Sequence, residues 1–259
     1  MKKCAVVIPV YKNELSEDEY RCVLRYFKIL RNEDIYFIAP KHLNDEWYNR
    51  EFPECKWKRF KDKYFTGTKS YNHLMLDEAF YRAFGDYEYM LIAQTDACIL
   101  DNTDRLEEFM EAGYDYIGAP WIPERRIWEW TTERGGLLGF RIKCCKKPGC
   151  GINMGNGGFC LRNINHSIDL IHEYSWRKVY WFIKRNEDIF FGVFGRHSKC
   201  GYKLADVQTG LRFAREYDLR DAIEHGEIPF GVHGWKKEFQ SFAQMEEYMV
   251  AHEVWEQND

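Results

Sequence analysis

A carboxylate inside an apolar run is the first feature of this sequence that asks for chemistry. Met90-Leu91-Ile92-Ala93 leads directly into Gln94-Thr95-Asp96, and Ala97-Cys98-Ile99-Leu100 follows. A carboxylate in such a setting costs several kcal/mol unless it is paired, hydrogen-bonded or bound to a metal. Two readings follow for Asp96. It caps a loop or pairs with an arginine, or it is a ligand for a divalent cation that bridges a diphosphate. Mg2+ and Mn2+ favour oxygen ligands and take few of them from protein.

Other groups carry weaker signals. Lys69-Ser70-Tyr71-Asn72 opens a helical pattern. A helix N-terminus beside a lysine suits an anion or a nucleotide, and an ordinary serine cap fits equally well. His73, on the same turn, reads as structural. Asn156-Gly157-Gly158 permits close backbone approach to a ligand, or simply a tight turn into a strand. Asn186-Glu187-Asp188 precedes an apolar helical run; from the residues alone it is a helix start, with Asn as cap and acids in the first turn. Trp121, after Gly118-Ala119-Pro120, and Trp235, two residues after His233, are candidates for stacking on a sugar. Cys144, Cys145, Cys150 and Cys160 lie close together, but CCKKPGC lacks a second C-x2-4-C pair and no histidine follows before His166. Zinc is therefore not expected.

The elements that must position these groups alternate in type. CAVVIPVY (4–11) reads as a strand buried on both faces. Ser16 with Glu19 forms a capping box, and Tyr20, Val23, Leu24, Phe27 and Leu30 make an apolar helical stripe. DIYFIAP (34–40) is a second strand, which completes a βαβ unit and implies a parallel sheet. A helix is predicted from Ser70 to about Phe84, a central strand over 87–100 interrupted at Gln94-Thr95-Asp96, and a short strand over 115–121. Eight of the nineteen glycines fall between Gly135 and Gly158, as a loop region that runs into the strand GFCLR (158–162). A helix over about 165–184, a helical turn from Asn186, a short strand near 202–205, the turn PFGVHGW and a helix over about 239–256 complete the pattern. In open α/β sheets ligands bind beyond the carboxyl ends of the strands. Pro9-Val10-Tyr11-Lys12 and Gln94-Thr95-Asp96 sit at two such ends.

Bulk properties narrow the classes. The chain has 259 residues, 45% hydrophobic and 30% charged, with net charge −4. That is globular and gives no reason to expect nucleic acid as a partner. Aromatic residues reach 17%, which fits an aromatic core or a groove lined for sugar. The basic run Lys56, Lys58, Arg59, Lys61 and Lys63 reads as a solvated strand face, with a phosphate contact as the alternative. Met1-Lys2-Lys3 precedes too short an apolar run for a signal peptide, and no stretch approaches the ~20 residues of a membrane span. Nine cysteines without repeated spacing read as reduced, cytosolic thiols.

VVIPVYK, SYNHLML, YMLIAQTDA, DYIGAPW, GNGGFCLR, NEDIFFG and PFGVHGWK, in that order from Val6 to Lys236, resemble a bacterial family of glycosyltransferase-like proteins classed as a domain of unknown function. More broadly the chain resembles GT-A glycosyltransferases. The resemblance implies a single α/β domain over 1–259, with a Rossmann-like, mostly parallel sheet flanked by helices. Its nucleotide-binding half would span about 1–121 and its acceptor half about 122–259. It implies transfer of a sugar from a nucleoside diphosphate sugar, with UDP-sugars expected, to a hydroxyl of a glycan or glycolipid. Pro9, Val10 and Tyr11 would cradle the base, with Lys69, Tyr71 and Asn72 nearby. Gln94, Thr95 and Asp96 would face ribose and diphosphate.

Asp96 and His233 would hold Mn2+ or Mg2+. Gln94 stands where D-x-D has its first Asp, which removes one negative charge and weakens the case for a metal. Asp188 matches the base of the x-E-D motif of inverting enzymes, and Glu187 would hold acceptor hydroxyls or orient the loop. Trp121, Asn156, Gly157, Gly158 and Trp235 would line the acceptor side. The expected location is the cytoplasm, including the inner membrane surface. A catalytically silent sugar-binding protein is the rival reading. A sugar nucleotidyltransferase would carry a glycine-rich basic loop after the first strand, where this chain has Tyr11-Lys12-Asn13-Glu14-Leu15.

Overall fold

The computed structural model describes residues 2–125, 128–131, 141–144, 152–175 and 187–256. Its strands are β1 (Lys2–Pro9), β2 (Asp34–Pro40), β3 (Lys56–Phe60), β4 (Tyr87–Ala93), β5 (Ala97–Ile99), β6 (Tyr116–Gly118), β7 (Pro120–Arg125), β8 (Trp128–Thr131), β9 (Arg141–Cys144), β10 (Ile152–Met154), β11 (Phe159–Asn163), β12 (Ala214–Arg215) and β13 (Gly231–His233). Its helices are α1 (Glu17–Ile29), α2 (Glu46–Glu51), α3 (Thr68–Met75), α4 (Glu78–Arg82), α5 (Leu106–Glu111), α6 (Ile164–Ser175), α7 (Glu187–Arg196), α8 (Val207–Phe213), α9 (Leu219–Glu224) and α10 (Phe242–Ala251).

The central sheet has the order β3-β2-β1-β4-β11-β6. β1 pairs in parallel with β2 on one side and β4 on the other, as its apolar run requires. Val6, Val7 and Ile8 are fully buried, each contributing about 1.5–3 kcal/mol relative to exposure. α1 starts at Ser16 through the predicted capping box and buries Cys22, Val23, Tyr26 and Ile29.

β11 is antiparallel to both β4 and β6. Phe159 lies opposite Ala93, so β11 enters the sheet at the end where β4 leaves it. The residues just before β11 are thereby brought against those just after β4, with Gln94 N donating to Gly158 O at 2.8 Å.

After Asp96 the chain leaves the central sheet. β5 joins a small sheet of order β12-β13-β5, antiparallel to β13, with Ala97 opposite His233. A second apolar cluster, including Cys98, Trp235, Phe239, Phe242 and Met245, packs with this sheet and with Cys22 of α1.

Some boundaries differ from expectation. The helix expected from Ser70 to Phe84 is two helices, because Asp77 accepts a hydrogen bond from Ala79 N and caps a new start. The strand expected near 202–205 is a single bridge between Tyr116 and Leu204. α6 is described to Ser175, and the rest of the predicted helix lies outside the described residues. β3 forms the sheet edge, where Lys56 pairs with Asp34 and Arg59 with Asp45, in keeping with a solvated face. Among the described residues no helix is long and apolar enough to cross a membrane.

Candidate functional site

A cleft of about 540 Å³ opens at the carboxyl ends of β1 and β4. Pro9, Tyr11 and Glu19 line it from β1 and α1. Phe65, Thr66, Gly67, Thr68 and Tyr71 line it from the segment that enters α3, and Gln94, Thr95 and Asp96 line it from the end of β4. The strand ends singled out by the sequence therefore share one cavity.

Several bonds fix the β4 exit. Tyr26 Oη donates to Gln94 O at 2.9 Å, and Thr95 Oγ1 donates to Glu19 Oε1 at 3.2 Å. Glu19 also accepts from Lys12 Nζ at 3.0 Å and from the Ser16 amide at 2.9 Å. Burial alone would raise the Glu19 carboxyl, but the Ser16 donors and Lys12 outweigh it and leave it below its usual value. Its capping role thus leaves an ionised carboxylate on the cleft wall.

His233 Nε2 stands 3.5 Å from Asp96 Oδ1. Desolvation works against the Asp96 charge, but His233 overcomes it and holds the carboxyl below the ordinary carboxylate range. Asp96 therefore stays ionised at neutral pH, and the stabilisation of its charged form is lost as the pH falls through its lowered pKa. The side chain is 55% exposed, so water screens the pair. Two ligands fit a cation that draws its remaining oxygens from phosphate and water. They do not make an all-protein cage: no group of three or more His, Cys, Asp or Glu positioned for a metal occurs among the described residues.

Gly158 lies directly against the His233 ring, and a Cβ there would come within 2.3 Å of it. Gly158→Ala is expected to cost about 1–3 kcal/mol by overpacking and to push His233 away from Asp96. Urea unfolding measures the first effect, and a histidine NMR titration the second.

Beneath the same loop, Arg162 and Glu187 form a buried ion pair at 3.1 Å, with side chains 0% and 7% exposed. Arg162 also donates to Tyr81 Oη at 2.8 Å and to Cys160 Sγ at 3.1 Å. A Cβ on Gly157 would meet Glu187 Oε1 at 1.9 Å, so glycine is required for the carboxylate to reach this position. Glu187 is thus held beneath the loop. Asp188 is half-buried on the first turn of α7, its Oδ1 accepting from Ile189 N at 2.6 Å, and does not line the 540 Å³ cleft. Asn186 lies outside the described residues. Tyr71 lines the cleft, and its buried hydroxyl has no hydrogen-bond partner among the described residues. Burial first, then the Glu187 charge, pushes this phenol up.

Several expected contacts are not made. Val10 is 1% exposed and belongs to the core; only its neighbours Pro9 and Tyr11 face the cleft. Asn72 is buried on the inner face of α3, and Lys69 is exposed outside the lining residues. Trp235 is 2% exposed, because Gly234 at φ +67° turns its indole into the second core against Phe242. Trp121 is 3% exposed; its ring covers Gly155, and its Nε1 donates to Glu216 Oε2 at 3.2 Å. Neither ring has a face open to a sugar. Cys160 is a core thiol that accepts from Arg162, while Cys145, Cys150 and the side chain of Cys144 lie outside the described residues.

The sequence reading missed Glu19, Phe65, Thr66, Gly67 and Thr68 as cleft residues. Glu19 is legible locally only as a helix cap. Arg162 left a signal that went unused, an arginine within the apolar strand GFCLR.

Residues 54–233 match the family described as protein of unknown function (DUF5672). The chain belongs to that family. No match is found among curated proteins. Among solved structures, this DUF5672 chain is similar to the galactosyltransferase LgtC in complex with donor and acceptor sugar analogues. The TM-score is 0.53 at 13% identity, over 98% of this chain and 97% of LgtC. That likeness shows the fold, the GT-A glycosyltransferase fold.

Two further structures are more distant. The bifunctional glycosyltransferase WbbM gives TM-score 0.48 at 14% identity over 90% of this chain. GlyE of Streptococcus pneumoniae TIGR4 gives 0.47 at 14% over 90%. The chain spans 46% of WbbM and 54% of GlyE.

Proposed function

We propose that this chain is a glycosyltransferase that moves a sugar from a nucleoside diphosphate sugar, with UDP-sugars the expected donors, to a hydroxyl of a glycan or glycolipid. The observation that carries this reading is the shared cleft of Pro9, Tyr11, Gly67, Thr68 and Gln94–Asp96, with His233 3.5 Å from Asp96 at its edge. Residues 1–121 supply the donor half and residues 122–259 the acceptor half.

Pro9 and Tyr11 receive the base. Gln94 and Thr95 offer hydrogen bonds to ribose and phosphate, and the hydroxyl of Tyr71 is a donor without a partner on the same wall. Asp96 and His233 are the residues that would hold Mn2+ or Mg2+, which when bound offsets charge on the leaving diphosphate. Asp188 takes the proton of the acceptor hydroxyl as its oxygen bonds to the anomeric carbon. The bond from that carbon to the diphosphate breaks with inversion, releasing the nucleoside diphosphate. Glu187, locked to Arg162, sets the position of the loop and of the helix start rather than binding acceptor.

A thermal-shift screen of nucleotide sugars with and without Mn2+ tests the donor side. A donor at about 100 times its Kd is expected to stabilise the protein by roughly 2.7 kcal/mol. Asp96→Asn is expected to abolish the Mn2+-dependent part of the shift. No shift with any nucleotide sugar would remove the reading.

A further inference from the structure

Beyond His233, on the side away from Asp96, lies a second polar group of residues. β12 runs parallel to β13 with Arg215 opposite Val232, so Glu216 comes next to His233. Its side chain is only 10% exposed, yet it carries acceptor capacity beyond the bonds it makes. Oε2 accepts from Trp121 Nε1 at 3.2 Å and Oε1 from Lys237 Nζ at 2.5 Å, and the Asn156 side chain is a third partner, whereas a carboxylate offers about four lone-pair sites. Desolvation opposes its charge, but Lys237 and the Asn156 side chain prevail and keep it ionised.

Tyr217 follows, 46% exposed, with Lys237 Nζ 3.8 Å from its ring centroid on one face. Asp218 then adopts φ +56°, a left-handed conformation that few non-glycine residues take. The turn is held by Glu238, which accepts from the amides of Leu219 and Arg220 at 2.8 and 3.0 Å. This turn sets an exposed ring beside a nearly enclosed carboxylate, so that one ligand can reach both.

We propose that Glu216, Tyr217 and Lys237 form the acceptor subsite, with the buried Asn156 positioning Glu216 from behind, and that its ligand is a hexopyranoside. The carboxylate accepts a hydrogen bond from a sugar hydroxyl, and the Lys237 ammonium donates to a sugar oxygen. The free face of Tyr217 packs on the apolar C–H face of the ring. This assigns to Tyr217 the stacking role that the buried Trp121 and Trp235 cannot perform. It rests on the glycosyltransferase reading only for the word acceptor.

The test is saturation-transfer NMR on the full chain with methyl β-D-glucopyranoside, methyl β-D-galactopyranoside and methyl α-D-mannopyranoside. UDP serves as a separate probe of the cleft. At least one glycoside is expected to bind, with saturation strongest on its C–H face. Tyr217→Ala should weaken that binding roughly tenfold and Glu216→Gln several-fold, while UDP binding stays at wild-type values in both and the thermal midpoint of Tyr217→Ala stays near wild type. The proposal is overturned if no glycoside binds, or if both variants bind glycoside like wild type. If UDP fails to bind while the glycoside pattern holds, the subsite stands and the nucleotide-sugar reading falls.

Discussion

Asp188→Asn is expected to cut sugar transfer at least about a hundredfold while leaving donor affinity near wild type. A sugar hydroxyl is a poor nucleophile until a carboxylate accepts its proton, and such a base typically contributes ~10²–10⁴-fold. Asparagine is nearly isosteric but has no basic oxygen. It also caps helices about as well as aspartate, so a purely structural role at the start of α7 predicts almost no change in rate or stability. The neighbouring acid cannot substitute, because Glu187 is 7% exposed and bonded to Arg162. The measurement is initial transfer rate beside donor binding by calorimetry. A folded variant that binds donor and transfers within about threefold of wild type would remove Asp188 from the mechanism. A wild-type protein that binds donor and glycoside without transfer under any condition would favour the catalytically silent sugar-binding reading.

The largest stability effect is expected at Arg162. Arg162→Met removes the cation from a pair that is fully enclosed, leaving Glu187 buried without its partner. Breaking a buried pair on one side costs about 3–5 kcal/mol, and Tyr81 Oη and Cys160 Sγ lose their donor as well. The guanidinium also lies 4.7 Å from the Phe191 ring centroid, a contact that methionine replaces only in part. The double variant Arg162→Met/Glu187→Leu should recover most of the loss, since apolar replacement of both partners is often neutral. Urea unfolding of both variants reads the difference. If the single variant is as stable as the double, the carboxylate is reaching water and the pair is not closed. Activity should stay low even in the double variant, because Glu187 no longer holds its place beneath Gly157.

The local part of this protein was legible in its sequence. The apolar run Cys4–Ile8, the Ser16–Glu19 capping box and the apolar run Ile35–Ala39 defined a βαβ unit whose strands pair as expected. The end of the apolar run at Ala93 marked where β4 stops. These signals are short-range: side-chain alternation, helical periodicity and a cap that bonds three residues away. The placement of Pro9 and Asp96 in one cavity followed from them, because parallel strands put their carboxyl ends on one side.

What tertiary structure alone decided is which distant residues meet and which rings remain exposed. Asp96 reaches His233 only because β5 abandons the central sheet to pair with β13, a choice made by long-range strand pairing. Arg162 and Glu187 find each other because β11 runs antiparallel into the sheet and carries its loop over the start of α7. Trp235 and Tyr217 each lie two residues beyond a strand of the small sheet. Gly234 turns the one into a core, and the left-handed Asp218 follows the other at the surface. Burial belongs to the packed whole, so residue type and spacing identify the side chains that could act, and the packing of elements selects those that can.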